Sequence, residues 1–239
     1  GHRHDPPHRA ARRAPHAPTR QPRAPPQALV KYWFYYAVRF LLWVFFRLGF
    51  GMEVRGRSHI PRRGGFLLAS NHLSYLDPPL LGAACPRRLS FMAQAKLFDH
   101  PWLGAFMRGV HVIPLRRGEG DTAAIREAVR RLRRGEAVAI FPEGGRQFSG
   151  RIGTAKRGVG LLAELARVPL IPVVVQGTFE ALPPTSRRLH PAKIRVAFGP
   201  QIPYTTTPVP TLLSLRLRHE QLAAQVTQQW HQLAEQLNG

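Results

Sequence analysis

Short apolar runs alternate with amphipathic stretches through the middle of the chain, and their spacing lays out the elements. Gly65-Phe66-Leu67-Leu68-Ala69-Ser70 is short, continuous and bounded by turn signals, which reads as a buried strand. Met52 to Gly56 alternates like a strand, and Leu89 to Ala93, Val110 to Leu115, Ala137 to Phe141, Leu170 to Gln176 and Ile194 to Phe198 supply further strands. Ala95 to Phe98 starts a helical piece that breaks near Pro101 and resumes from Trp102 to Met107. Asp121 is placed to cap a helix with Ile125, Ala128, Val129 and Leu132 on one face and Gly135 at its stop. Gly158 to Ala166 is a further helix. Leu215, Leu222, Val226, Trp230, Leu233 and Leu237 mark a C-terminal amphipathic helix whose stripe suits core packing. Strands alternating with helices predict an α/β fold, a single domain with a mixed sheet covered by helices over residues 51–239.

The first fifty residues follow a different pattern. Residues 1–28 are rich in Pro, Arg, His and Ala, with nothing to bury, and are expected to form a disordered basic arm. Residues 29–50 are the most apolar and aromatic stretch. A spanning helix needs about 20 apolar residues, whereas the interval between Lys31 and Arg47 holds fifteen residues in all, with Arg39 at its middle. At about 100° per residue the three cations stay within roughly 160° of the helix circumference. That geometry favours an interfacial anchoring helix, with Trp33, Phe34, Trp43 and Phe45 toward acyl chains. A core-packed helix and a spanning or re-entrant anchor are the alternatives.

Composition adds an anionic partner. A chain of 239 residues with formal charge +22 predicts a nucleic acid or an anionic membrane surface as its counterpart, and charge does not choose between them. Cys85 is the one cysteine, which excludes an internal disulfide and a cysteine zinc cluster and suits a small apolar filler.

Candidate chemistry sits just past two of the strands. In Asn71-His72-Leu73-Ser74-Tyr75-Leu76-Asp77-Pro78 a carboxylate can hold one nitrogen of His72 and leave the other as a general base. A turn His beside an N-capping Asp is the bland alternative. Downstream, Phe141-Pro142-Glu143-Gly144-Gly145-Arg146 leaves the strand at Ala137–Ile140.

With His111-Val112-Ile113-Pro114-Leu115-Arg116-Arg117-Gly118 and Val168-Pro169-Leu170-Ile171-Pro172-Val173, these make four blocks in order. The set resembles the glycerolipid acyltransferase family, over roughly Gly51 to Pro200. The resemblance implies transfer of an acyl group from a thioester, acyl-CoA or acyl carrier protein, to a hydroxyl of a lysophospholipid, most of all 1-acyl-glycerol 3-phosphate. It implies His72 as general base, oriented by Asp77. It implies acceptor binding by Asn71, Arg117, Glu143, Gly144 and Arg146, with Arg116 in place of Arg117 if the register slips by one, and Lys156 as a further basic contact. Where the family often continues with Thr-Arg-Ser, this chain has Gly145-Arg146-Gln147, which bears on acceptor identity. No cofactor and no metal are implied, and the expected place is the cytoplasmic face of a membrane. A nucleic-acid-binding protein, suggested by Arg130-Arg131-Leu132-Arg133-Arg134, leaves the four blocks unexplained, so no nucleic acid is expected.

Overall fold

Seven strands form one twisted sheet in the computed structural model, which describes residues 32–116, 121–204 and 211–238. The expected arm, 1–28, lies outside the described residues. In chain order the strands are β1 (Glu53–Arg55), β2 (Phe66–Ser70), β3 (Leu89–Gln94), β4 (Ile113–Leu115), β5 (Ala137–Ile140), β6 (Leu170–Gln176) and β7 (Arg195–Phe198). Their order across the sheet is β1-β7-β6-β2-β5-β3-β4. Neighbours run parallel except β6 and β7, the one antiparallel pair among the described residues. The C-terminal ends of β2, β5, β3 and β4 therefore share one edge, where loops leading to helices gather.

The period-two geometry of the strands divides the core into two layers. Phe66 and Leu68 of β2 pack on one face with Ile171, Val173 and Val175 of β6, and Leu67 and Ala69 face the other way with Leu170 and Val174. Helices α1 (Trp33–Gly49) and α2 (Asp77–Ala84) cover the first face, through residues such as Phe46, Leu80 and Leu81. The second face is covered by α4 (Thr122–Arg133), α5 (Gly158–Ala166) and the C-terminal α7 (Leu212–Asn238). The remaining helices are α3 (Pro101–Gly109) and the short α6 (Thr178–Ala181). Trp230 of α7 is fully buried, and its indole N–H donates to the Ala69 carbonyl at 3.0 Å, so the indole nitrogen is not left unpaired beneath the sheet. Cys85 is buried too; desolvation pushes its thiol up to about 11, consistent with an inert filler.

Several local expectations change. Asp121 caps α4 as expected, its carboxylate accepting from Ala123 and Ala124 at 3.1 Å, and Gly135 takes a positive φ at the stop. Pro101 does not break a helix: it is the first residue of α3, where a missing N–H costs nothing, and Ala95–Phe98 is a separate 3₁₀ turn. The strand expected from Val110 starts only at Ile113, because His111 sits at φ 62° in a turn.

Within the stretch 29–50 expected to anchor the protein, Trp33–Gly49 form α1, which belongs to the same compact unit as the sheet. Tyr35 and Phe46 enter the core, whereas Trp33, Phe34, Trp43 and Phe45 are exposed. Arg39 turns toward the protein and donates to the Pro86 carbonyl at 3.3 Å. Among the described residues no helix is long and apolar enough to cross a membrane.

Candidate active site

The turn between β2 and α2 is built around the carboxylate of Asp77. Pro78 and Pro79 occupy the first turn of α2, where an N–H has no intrahelical acceptor to lose. Asp77 folds back so that its Oδ2 accepts from the backbone of Leu73 at 2.7 Å and of Ser74 at 2.8 Å. The same oxygen lies 2.8 Å from Nδ1 of His72. Ser74 pins the turn from outside, its hydroxyl donating to the Leu182 carbonyl at 2.7 Å and accepting from the Leu76 N–H at 3.2 Å. Asp77 is fully buried, its Oδ1 has no protein partner, and the His72 side chain keeps 16% of its surface exposed. The His72 ring stacks on Phe141, with centroids 4.0 Å apart and planes at 22°. The imidazole is thus held by a carboxylate on one nitrogen and an aromatic plane on one face. Nε2 has no hydrogen-bond partner among the described residues, and a base so placed can take a proton from an approaching hydroxyl.

The loop after β5 is tied to the same turn. Glu143 Oε2 accepts from the His72 N–H at 3.0 Å, and its Oε1 accepts from the Gly153 N–H at 2.9 Å. The Gln147 N–H donates to the His72 carbonyl at 2.8 Å. Burial raises the pKa of Glu143 above the usual carboxylate range, against the opposing effect of these hydrogen bonds. Gly144 adopts φ 82°, and a methyl group there would come within 2.8 Å of Nζ of Lys156. This glycine therefore serves both the turn and the close passage of a cation.

Arg146 lies over Tyr75, its guanidinium carbon 3.6 Å from the ring centroid, and one Nη donates to the Tyr75 hydroxyl at 2.8 Å. Phe148 lies farther off, at 5.8 Å. The other nitrogen, Nη1, is shielded from solvent and has no partner. Tyr75 and Gln147 were missed as site residues. A strand-end turn with an aromatic two positions before the Asp was the available signal for Tyr75.

Not every expected residue faces this cleft. Asn71 is fully buried and turned away: its amide donates to the Val175 carbonyl at 3.0 Å and its oxygen accepts from the Val175 N–H at 2.8 Å. Its carboxamide is spent joining β2 to β6, a positioning role in place of the expected contact with acceptor. Arg116 follows β4 on the same edge of the sheet and is exposed, with its backbone N–H donating to Asp121 Oδ2 at 2.8 Å. Arg117 lies outside the described residues.

A buried Asp–His pair thus stands at the C-terminal edge of a largely parallel sheet, next to an arginine with a free donor. The chain belongs to the Acyltransferase family, whose model matches residues 51–176. Among its relatives, the 1-acyl-sn-glycerol-3-phosphate acyltransferase of Bacillus subtilis (strain 168) is 31% identical over 128 residues, covering 53% of this chain and 63% of that protein. The human 1-acyl-sn-glycerol-3-phosphate acyltransferase alpha is also 31% identical, over 192 residues, 76% of this chain and 66% of the relative. The chain thus spans just under two thirds of the length of either. The fold matches the crystal structure of the 1-acyl-sn-glycerophosphate (LPA) acyltransferase PlsC from Thermotoga maritima, with a TM-score of 0.70 and 22% identity over 84% of this chain and 81% of that one.

Proposed function

We propose that this chain moves a fatty acyl group from a thioester donor, acyl-CoA or acyl carrier protein, to the free hydroxyl of 1-acyl-glycerol 3-phosphate, giving phosphatidic acid for phospholipid synthesis. The observation that carries this reading is the His72–Asp77 pair at 2.8 Å, with Nε2 open at the cleft. In the proposed step His72 Nε2 takes the hydroxyl proton as the oxygen attacks the thioester carbonyl carbon. Asp77 holds the tautomer and offsets the charge of the imidazolium. The carbon–sulfur bond then breaks, and the departing thiolate takes the proton back from His72.

The acceptor phosphate suits Arg146, whose Nη1 is a shielded donor without a partner, with Lys156 adding charge beside Gly144. The same glycine leaves the backbone open to a close approach. Glu143, both of whose oxygens bind backbone N–H groups, holds the two loops in register in this reading and meets the acceptor only through that placement. Arg116, just past β4, would bring a further cation, and Arg117, next in sequence, is kept as the alternative. No cofactor or metal takes part in the proposed step. The enzyme would work at the cytoplasmic face of an anionic membrane, where both donors are found.

The test is a panel of lysolipids and glycerol 3-phosphate, incubated with labelled acyl donors and read by lipid mass spectrometry. Phosphatidic acid formed from 1-acyl-glycerol 3-phosphate at the highest rate is the expected result. Preference for glycerol 3-phosphate or an uncharged lysolipid would overturn the acceptor assignment. Salt-sensitive duplex binding with no acyl transfer would overturn the class.

A further inference from the structure

The segment Ala95–Gly109 inverts the usual logic of a surface helix. In α3 the buried position is Gly104, which packs on the Phe98 carbonyl, while Trp102, Leu103 and Phe106 stand out in solvent. Trp102 is 83% exposed, so its indole takes no part in packing. Leu97, in the preceding 3₁₀ turn, is exposed as well. Apolar bulk outward with glycine inward is the arrangement of an element that meets an apolar medium on its outer side.

This surface continues into α1. Phe34 stands edge-on to Phe106 with ring centroids 6.3 Å apart, and a methyl group on Gly109 would come within 2.8 Å of the Phe34 ring. Beyond Phe34 the outer side of α1 carries exposed Trp33, Phe40, Leu41 and Leu48. Lys96 and Arg108 in this segment and Arg47 in the last turn of α1 are exposed, with Asp99 the nearest acidic neighbour in sequence. Tryptophan and cations bordering an apolar face suit the boundary between headgroups and acyl chains. A second copy of this chain would bring another +22 of like charge to the same place, whereas an anionic leaflet would be attracted.

We propose that the 3₁₀ turn and α3 form a second bilayer-contacting element, joined to α1 in one lipid-facing surface. This rests on the acceptor being a membrane lipid. It also orients the molecule: β3 leads into the segment at the edge of the sheet where His72 and Glu143 stand, so the lipid surface borders the cleft. An acceptor would pass from leaflet to His72 along that border, and the described residues would sit at the interface without threading it, none of their helices being both long and apolar enough to cross.

The experiment uses the four tryptophans of the full chain. Trp33→Phe and Trp43→Phe leave Trp102 as reporter and the buried Trp230 as internal reference. On vesicles of phosphatidylcholine and phosphatidylglycerol, Trp102 emission shifts to the blue and is quenched by brominated acyl chains, while the Trp230 contribution persists. In the parent chain, Trp102→Ala with Leu103→Ala weakens vesicle binding about tenfold. It lowers turnover on a bilayer-embedded acceptor similarly and spares a short, water-soluble one. Unquenched Trp102 on vesicle-bound protein, or undiminished binding by the double variant, would overturn the proposal. So would a concentration-dependent dimer abolished by the same variant, which would give the face to a second copy. Quenching without acyl transfer to any lysolipid would uphold the surface and remove the functional reading instead.

Discussion

Asp77→Asn tests the catalytic geometry most directly, because it changes charge while keeping shape. Oδ2 accepts three N–H groups, from His72, Leu73 and Ser74, at 2.7–2.8 Å. An amide oxygen in the same place keeps all three bonds but makes each neutral, a loss of about 0.5–1 kcal/mol apiece. Stability should therefore fall by about 1.5–3 kcal/mol, enough to lower the melting temperature yet compatible with a folded chain. The rate should fall far more. Only the His72 bond gains charge as the proton is taken, and without a carboxylate partner the imidazolium forms in a buried, uncompensated place. The expected loss in kcat is about 10²–10⁴-fold. Thiol release from the acyl donor, followed below the melting temperature of both proteins, gives kcat. Circular dichroism gives the melt. Turnover within about threefold of the parent, with the melt lowered as expected, would refute the role of Asp77 and reduce it to a turn-forming residue.

Three further outcomes follow from the same geometry. His72→Ala removes the base from a partly exposed site, so kcat should fall by about 10²–10⁴-fold while thermal melting and vesicle sedimentation stay near the parent's. Arg146→Ala should raise the acceptor KM about tenfold or more and leave the donor KM within about twofold, as initial rates with each substrate varied will report. Burial raises Glu143 above its unfolded value of about 4.3, so its stabilising contribution is full below that pH and is lost as pH rises through the raised folded value. Urea melts between pH 4 and 8, taken as ~1-unit steps, should show a shallower decline for Glu143→Gln than for the parent, and equal slopes would remove this assignment.

Much of this centre was legible in the chain because it lies in local blocks. The apolar run before Asn71 and the run before Phe141 each become a strand, and parallel pairing of β2 with β5 brings the two blocks together. Separation in sequence hides what each side chain does once there. Asn71 looks like a site residue by its place next to His72, yet it bonds across 104 positions to Val175. Glu143 looks like an acceptor ligand until both oxygens are seen on backbone N–H groups. The antiparallel β6–β7 pair could not be read, because strand order is set by crossovers and not by periodicity. His219 was invisible for a related reason: a histidine breaks the apolar stripe of α7, and only packing reveals Glu164 at 3.0 Å from its Nε2. Short α2 carried no amphipathic signal, since it is buried nearly all round.

The indole of Trp230 gives the molecule an order of assembly. Its bond to the Ala69 carbonyl lies two positions before Asn71, so the strand that leads to His72 rests on a helix made more than a hundred residues later. During synthesis α1 emerges long before α7, and the apolar layer beneath β2 stays open until Leu222, Val226 and Trp230 close over it. A ribosome stalled short of Trp230 would therefore leave that layer uncovered and β2 without this support, so the turn that carries His72 is set only once α7 has docked.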